Sequence, residues 1–453
     1  MTHLTSRSIS RTVPKKVCNI EAQTMNEYGK GDSSWFTHDR FGMFIHWGLY
    51  SMPARHEWIR NRELIADEDY QKYFDNFNPD LFNASEWAKA AREAGMKYVV
   101  FTAKHHEGFC MFDSAFTDYK STNLPCKRDF VREITDAFRA EGLHVGLYYS
   151  LLDWHHPDFT IDWFHPLRRR PDRDELNKTR DMAKYRAYMQ GQTRELLTKY
   201  GDIDILWYDF SYPAGEYCAK GRSEWGSEEL VKLIRSLRPS VLLDNRLDLP
   251  GAGDIMTPEQ NVPDEPLRDE NGNPVVWEGC QTFSGSWGYY RDELTWKSEK
   301  QCIDLLINHV SRGGNLLMNV GPTSRGYIDS RAMTRLQVYA RWMKLHSESI
   351  YGCGTAPEEF PEPRDCRYTY NPEKKKLYLH IMNWPFGHIT LKNLAGKIAY
   401  AQFLHDGSEV LMREAAPAIH SHLIAAVPPG GVALQLPVNK PDTEVPVIEL
   451  ILK

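Results

Sequence analysis

A carboxylate at the end of an apolar run is the side chain best placed to do chemistry. Asp209 follows a run in the segment 204–210, where five of the seven residues are apolar or aromatic. Such a run predicts a strand covered on both faces, and the carboxyl ends of parallel strands line the ligand site of α/β proteins. Trp207 lies two residues earlier, on the same side of the strand. Asp209 therefore suits a nucleophile beside a sugar-stacking ring, although an aspartate that caps the next turn fits this segment equally well.

Paired carboxyl groups are the chemistry that these residues favour. In glycoside hydrolysis one carboxylate attacks or stabilises the anomeric carbon, and one carboxylic acid protonates the departing oxygen. Asp209 suits the first role, and Glu259 and Glu278 are candidates for the second, with Glu57 as a third carboxyl group. We expect Glu259 to lie on a long, mobile loop and Glu278 to follow a strand. Spacing does not decide between them.

Polar and aromatic side chains also follow the ends of several other predicted strands. Burying polar groups without a partner is costly, and their clustering at one end of a barrel is typical of a functional site. The residues are His46, Glu57, Trp58, His105, His106, Tyr149, Asp209, Asn245 and Arg246.

Other kinds of catalysis have weaker signals. His105 and His106 are adjacent, so on a strand they would point to opposite faces, and no H-x-H or H-E-x-x-H spacing accompanies them. The chain also lacks the G-x-S-x-G motif of serine hydrolases. We therefore expect neither a metal nor another cofactor.

The composition of the chain limits the classes of molecule that we expect it to bind. The chain has 453 residues and a formal net charge of -6, without a long basic run. Nucleic acid is therefore not expected, because phosphate binding needs clustered Lys and Arg. The 13 Trp and 23 Tyr residues suit carbohydrate recognition, in which flat rings stack on apolar sugar faces.

The sequence also indicates a compartment. Eight cysteines are scattered without a C-x-x-C pair, and we expect reduced thiols. The first 16 residues lack the apolar core of a signal peptide, and no uncharged window is long enough to span a bilayer. These features predict a cytoplasmic protein without membrane segments.

Alternating strand and helix patterns predict a (β/α)₈-like TIM barrel. An open doubly wound sheet would require a glycine-rich phosphate turn after the first strand, which the sequence lacks. The predicted strands are Phe41–Trp47, Tyr98–Ala103, His144–Ser150, Ile203–Phe210, Val241–Asn245, Val275–Trp277 and Asn315–Val320. The predicted helices are Asn83–Ala94, Asp129–Ala140, Lys178–Tyr200, Ser227–Leu237, Glu299–Ser311 and Ser330–His346.

The sequence pattern changes after residue 350, where Pro and Gly become frequent and short alternating runs replace helical periodicity. That pattern predicts a small antiparallel β-sandwich. We therefore expect an N-terminal arm over 1–32, a catalytic domain over 33–350 and a C-terminal sandwich over 351–453.

Seven ordered motifs between residues 33 and 355 carry a family resemblance. They are FGMFIHWGLYS (41–51), EW (57–58), KHHEGF (104–109), GLYYS (146–150), LWYD (206–209), WE with SWGY (277–278 and 286–289), and GNLLMNVGP (314–322). Together they resemble the α-L-fucosidases of glycoside hydrolase family 29. The resemblance implies a retaining exo-α-L-fucosidase on a (β/α)₈-like barrel with a β-sandwich, acting on fucosylated oligosaccharides or glycoconjugates.

The resemblance also implies residue roles. Asp209 matches the nucleophile, although Tyr208 stands where the family often has Asn. Glu259 matches the acid/base position of some members and is favoured, whereas Glu278 matches the one proposed in others. The residues that match the fucose-binding set are His46, Glu57, Trp58, His105, His106, Tyr149, Trp207, Arg246 and Trp287.

Fucose is a 6-deoxy sugar, so its site needs an apolar patch for the methyl group. The candidates are Phe44, Trp58, Phe109, Trp207 and Trp287, although Phe44 also suits the barrel core. Gln260 favours members restricted to α-1,3/1,4 linkages. A non-catalytic carbohydrate-binding protein on the same barrel is the alternative function. A homo-oligomer is compatible with the sequence, which does not set the oligomeric state.

Overall fold

The computed structural model describes residues 28–213, 220–414 and 427–453. Most of the predicted arm, residues 1–27, lies outside the described residues, as do Cys18 and Cys218. The strands are β1 Phe41–Ile45, β2 Tyr98–Lys104, β3 His144–Ser150, β4 Ile205–Asp209, β5 Leu242–Leu243, β6 Glu278–Thr282, β7 Asn315–Val320, β8 Cys366–Asn371, β9 Lys376–Ile381, β10 His388–Leu391, β11 Ile398–Phe403, β12 Met412–Glu414, β13 Val432–Gln435 and β14 Val447–Leu452.

The helices fall mostly between the first seven strands. They are α1 Ser34–Asp39, α2 Ile59–Arg62, α3 Asp67–Asn76, α4 Ala84–Glu93, α5 Phe130–Ala140, α6 Arg173–Asn177, α7 Met182–Lys199, α8 Arg222–Trp225, α9 Ser227–Leu237, α10 Glu299–Ser311 and α11 Ser330–His346. Short 3₁₀ turns cover Leu49–Ser51, Ser121–Asn123, Pro166–Arg169 and Ser347–Ser349.

Strands β1 to β7 form one parallel sheet in the order β5-β4-β3-β2-β1-β7-β6. Its sequence suits this position, since β2 contains β-branched and aromatic residues and all seven of its residues are buried. Several of the connecting helices begin at side-chain caps. At α10, for example, the Ser298 hydroxyl accepts from the Gln301 N–H while the Gln301 side chain accepts from the Ser298 N–H.

An irregular segment, 255–259, takes the place of an eighth strand between β5 and β6. Ile255 donates its N–H to the Leu243 carbonyl (3.0 Å), and Glu278 donates its N–H to the Met256 carbonyl (2.8 Å). Parallel bridges on both sides of the segment thus join the two edges of the sheet. The (β/α)₈-like prediction is confirmed, with this segment closing the barrel.

Contacts across the interior also show that the sheet curls into a barrel. Tyr98 on β2 and Trp207 on β4 both hydrogen-bond Glu278 on β6, at the far edge of the sheet. These residues belong to an interior cluster of aromatic and aliphatic side chains, separate from the larger core between the strands and the outer helices.

The predicted C-terminal β-sandwich is also confirmed. Two antiparallel sheets, β10-β13-β12 and β11-β14-β9-β8, enclose a hydrophobic cluster of their own. The exact domain boundaries stay predictions. No helix in the described part of the chain has both the length and the apolar composition needed to cross a membrane.

Three sequence predictions need correction. The strand predicted at 275–277 lies at Glu278–Thr282, and the one predicted at 241–245 is reduced to Leu242–Leu243. The sequence predicts a mobile loop for Glu259, but the segment 255–259 forms parallel bridges with neighbouring chain segments on both sides. The apolar residues at 275–277 fit a strand pattern, whereas the strand EGCQT is polar yet buried. It pairs with β7, and Tyr98 in the barrel interior hydrogen-bonds its Glu278 side chain.

Candidate active site

A cavity of about 500 Å³ opens at the carboxyl ends of the barrel strands. Most of the sequence-predicted site residues line it. Its walls are Phe44, His46, Trp58, His105, His106, Tyr148, Trp207, Asp209, Phe210, Ser211, Tyr212, Pro213, Asn245, Arg246, Asp248, Glu259, Cys280 and Trp287.

Asp209 is fixed in this cavity by three neighbours. Tyr148 donates its hydroxyl to Oδ2 (2.7 Å), Arg246 donates to Oδ1 (2.7 Å), and His106 Nε2 lies 3.9 Å from Oδ2. Burial by itself would raise the pKa of Asp209. Arg246, then His106 and the Tyr148 hydroxyl, outweigh burial and hold this pKa below its ordinary value. Asp209 is therefore an ionised, oriented carboxylate.

One guanidinium nitrogen joins the two candidate catalytic carboxylates. Arg246 Nη1 donates to Asp209 Oδ1 at 2.7 Å and to Glu259 Oε2 at 2.9 Å, so these oxygens lie at most about 5.6 Å apart. Carboxyl separations of roughly 5–5.5 Å are typical of glycosidases that retain configuration. The geometry therefore fits a double-displacement reaction.

Glu259 reaches the cavity because the irregular segment carries it there. Gln260 hydrogen-bonds the Cys280 carbonyl of β6, and its left-handed backbone (φ 52°) turns the chain directly after Glu259. The Glu259 side chain is 44% exposed, whereas that of Asp209 is 14% exposed. Asp209 thus lies deep, and Glu259 lies at the mouth, where a departing group would leave.

Three histidines form one side of the cavity. His46 Nδ1 lies 2.7 Å from Asn319 Oδ1, and His106 Nδ1 lies 2.6 Å from Ser150 Oγ. Burial lowers the pKa of His46 to about 3 and that of His106 to about 4, and the pKa of His105 falls well below its ordinary value for the same reason. All three rings are neutral at pH 7 and can exchange hydrogen bonds with hydroxyl groups.

The adjacent histidines do not point to opposite faces, as the sequence predicted. Strand β2 ends at Lys104, and His105 and His106 lie in the turn that follows. Both rings therefore face the cavity, with their centroids 4.1 Å apart.

Aromatic rings line the cavity beside the histidines. Trp207 packs against Tyr148 (23° between ring planes), and the Arg246 guanidinium lies 4.4 Å from the Trp207 ring centroid. Phe44 lines the cavity and contacts Trp207, whereas Phe109 is buried outside it. Phe44, Trp207 and Trp287 together supply an apolar surface of the kind that a methyl group requires.

Glu57 lies behind the cavity wall. Its Oε2 accepts from the backbone N–H groups of Trp287 (3.1 Å) and Gly288 (2.9 Å) and from the Ser286 hydroxyl. Burial raises the pKa of Glu57. The structure thus places this predicted substrate-binding residue where it fixes the turn that carries Trp287.

Glu278 lies at the opposite end of β6 from the cavity mouth. It is the first residue of that strand, is fully buried, and does not line the cavity. Burial raises its pKa to about 7. The structure therefore brings Glu259, and not Glu278, to Asp209.

Tyr149 points away from the cavity and donates to Gln192 on α7 (2.8 Å). Its neighbour Tyr148 faces inward, in register with Trp207 on β4. The side-chain alternation of a strand, applied from Trp207 and Asp209 across to β3, would have selected Tyr148.

Several lining residues had no specific signal in the sequence. They are Phe210, Ser211, Tyr212, Pro213, Asp248 and Cys280. Most lie on loops after strands, where neither periodicity nor spacing fixes side-chain direction. Within the described ranges, no group of three or more His, Cys, Asp and Glu side chains is arranged to hold a metal ion.

A larger groove, of about 1340 Å³, lies between the amino ends of the strands and the β-sandwich. Its acidic and basic groups are mostly paired, as in Arg312 with Glu362 and Arg268 with Glu358. It contains no pair of carboxylates joined by a shared donor among the described residues. Chemistry, not size, therefore makes the smaller cavity the candidate active site.

Comparison with known proteins agrees with this geometry. The family model for alpha-L-fucosidase matches residues 9–348. The chain belongs to the α-L-fucosidase family. As a member it is a glycoside hydrolase by descent, and the resemblance seen in its motifs is confirmed.

Relatives in this α-L-fucosidase family include the plasma alpha-L-fucosidase of Rattus norvegicus, 33% identical over 385 residues and matched over 78% of each chain. Alpha-L-fucosidase isoenzyme 1 from Paenibacillus thiaminolyticus is 46% identical, with a TM-score of 0.85 over 93% of this chain and 98% of that one.

A third relative, from Bacteroides thetaiotaomicron, is 26% identical, with a TM-score of 0.77 over 95% of this chain and 100% of that one. It was solved as a covalent intermediate with 2-fluoro-fucosyl fluoride in a glutamate-to-glutamine mutant.

Proposed function

We propose that this chain is a retaining exo-α-L-fucosidase in which Asp209 is the nucleophile and Glu259 is the acid/base. The observation that carries the proposal is the single Arg246 nitrogen shared by both carboxylates, which keeps the two bonded oxygens within about 5.6 Å of each other, a distance compatible with a retaining enzyme. Glu259 is preferred to Glu278 because only Glu259 lines the cavity.

The proposed reaction has two steps. Asp209 Oδ attacks the anomeric carbon while protonated Glu259 gives its proton to the departing glycosidic oxygen. The products are a fucosyl–aspartate ester and an ionised Glu259. Glu259 then takes a proton from water, the water oxygen attacks the anomeric carbon, and the ester bond breaks. Fucose leaves with retained configuration.

Arg246 suits the charge changes of this cycle. Before attack the negative charge resides on Asp209, and after attack it resides on Glu259, because the ester is neutral. A guanidinium that reaches both carboxylates can stabilise the negative charge on either of them without a large movement. The neutral histidines supply donors and acceptors for sugar hydroxyls, and the surface of Phe44, Trp207 and Trp287 receives the methyl group.

The test uses an aryl α-L-fucoside with added azide. Asp209→Ala should lose at least about 10³-fold in kcat, and azide should restore turnover with formation of the inverted β-fucosyl azide. Glu259→Ala should accumulate the ester on an activated substrate and give the retained α-fucosyl azide. Asp202→Asn, at an exposed carboxylate, is the control and should match the wild type.

Two results would contradict these assignments. One is full activity in Asp209→Ala, and the other is an inverted azide product from Glu259→Ala. A carbohydrate-binding protein without catalysis would show no hydrolysis in the wild type.

We further propose a preference for α-1,3 and α-1,4 linkages. Its support is Gln260, directly after Glu259, in a motif that favours the restricted members of the family. Release of fucose from a panel of α-1,2-, α-1,3-, α-1,4- and α-1,6-linked oligosaccharides tests this. Equal rates across the panel would contradict it.

A cytoplasmic location also remains a proposal. It is supported by the free thiols of Cys110, Cys126, Cys280, Cys302, Cys353 and Cys366. Thiol labelling of the protein recovered from its native cell, together with fractionation, tests this. Recovery outside the cytoplasm would contradict it.

A further inference from the structure

A buried carboxyl group below the active site has no part in the proposed reaction. Glu278 Oε1 accepts from the indole N–H of Trp207 (3.3 Å), and Oε2 accepts a short hydrogen bond from the Tyr98 hydroxyl. Both donors are neutral, and no ion pair joins Glu278 to another described residue. Burying a carboxyl group among aromatic rings is unfavourable, so its presence here requires a reason.

The indole that Glu278 holds supports both groups that hydrogen-bond Asp209. The Arg246 guanidinium lies 4.4 Å from the centroid of the Trp207 ring, and the Tyr148 ring lies 5.7 Å from it, inclined at 23°. A rotation of the indole would move these two donors relative to Asp209. The N–H bond to Glu278 fixes that rotation, because an indole has one donor only.

We propose that Glu278 is a positioning residue that holds the Trp207 ring, and through it aims Arg246 and Tyr148 at Asp209. The inference rests on the proposed role of Asp209 as nucleophile. Glu278 itself neither contacts substrate nor exchanges a proton with it. This role differs from the acid/base function that the sequence left open for Glu278.

The experiment compares Glu278→Met, which removes the acceptor of the indole N–H, with Glu259→Gln on fucosides with good and poor leaving groups. A positioning defect weakens Asp209 and should lower kcat by the same 10- to 100-fold factor for both substrates, without rescue by azide. Loss of an acid should fall mainly on the poor leaving group, as expected for Glu259→Gln. The acid limb of the kcat/KM profile should also move to higher pH in Glu278→Met. Arg246 and Tyr148 then hold Asp209 less well, while His106 and Glu259, which also face Asp209, are unchanged.

Two further variants separate positioning from folding. Trp207→Phe keeps a ring but deletes the N–H, and it should reproduce the kinetic defect. The double variant Glu278→Met/Trp207→Phe should lose far less than the product of the two single losses. Tyr98→Phe deletes the other bond to the same carboxyl group, and it should lower the thermal midpoint while changing kcat less than about threefold.

Three results would overturn the inference: azide rescue of Glu278→Met, a loss confined to poor leaving groups, or multiplicative losses in the double variant. If Glu278→Met does not fold, Trp207→Phe still reports on the same bond, and an unchanged kcat there overturns the proposal. Failure of the underlying function would look different, since Asp209→Ala would then remain active.

Discussion

Arg246 provides a sharp test of how the site works, because its charge serves both carboxylates. In Arg246→Met the aliphatic stem remains, but the hydrogen bonds of 2.7 Å to Asp209 and 2.9 Å to Glu259 are lost. Removing one partner of a buried charge pair costs about 3–5 kcal/mol. If that cost falls on the transition state, kcat/KM drops by roughly two to four orders of magnitude.

The pH dependence has a definite sign. In the wild type Arg246 outweighs burial and keeps the pKa of Asp209 below its ordinary value, so the nucleophile stays ionised at acidic pH. Without Arg246 burial dominates and the pKa of Asp209 rises. His106 cannot replace the charge at neutral pH, because burial lowers its own pKa to about 4. The acid limb of the kcat/KM profile should therefore move to higher pH in the variant.

The assay is the pH profile of kcat/KM on an aryl α-L-fucoside, since this parameter reports ionisations of the free enzyme. Arg246→Lys keeps a charge but not the fork that reaches two carboxylates, and it should give an intermediate limb. Arg238→Met, which removes a surface partner of Asp202, is the matched control. A wild-type acid limb in Arg246→Met would refute the reasoning, even if its rate were reduced.

Three other predictions follow from the same contacts. Tyr148→Phe removes a hydrogen bond to an ionised nucleophile and should lower kcat/KM about 10- to 100-fold. Tyr149→Phe should lower the free energy of unfolding by about 1 kcal/mol and leave kcat unchanged. Equal kinetics in the two variants would contradict the inward placement of Tyr148 and the outward placement of Tyr149. Burial raises the folded-state pKa of Glu278 to about 7, so its contribution to stability is lost as pH rises from about 4.5 to 7. The stability of the wild type relative to Glu278→Gln, measured by urea unfolding, should fall by up to about 3 kcal/mol over that window, and a constant difference would count against the raised pKa. Chelators should leave hydrolysis unchanged, because no described His, Cys, Asp or Glu cluster suits a metal ion, and loss of activity in EDTA that is restored by a divalent ion would disprove this.

The sequence by itself determined the repeating βα units, the sandwich and the position of Asp209 at the carboxyl end of a strand. These features depend on short-range physics. Apolar runs and helical spacing specify elements, and a carboxylate directly after a buried strand is placed at the carboxyl end by the chain itself. Five helices of the described residues, including α3, were not anticipated, since their apolar faces are short or weak.

Only the tertiary structure shows that Glu259 lines the cavity and that Glu278 does not. The apolar residues at 275–277 predict a strand that ends just before Glu278. In the structure the strand begins at Glu278, so the carboxyl group of this residue lies at the opposite end of the barrel. Local sequence cannot reveal this, because the polar run EGCQT is a strand through its pairing with β7, and the partners of its buried Glu278 side chain, Tyr98 and Trp207, are distant in sequence. Glu259 reaches Asp209 because the segment before it closes the barrel, a contact between chain segments that no local pattern encodes.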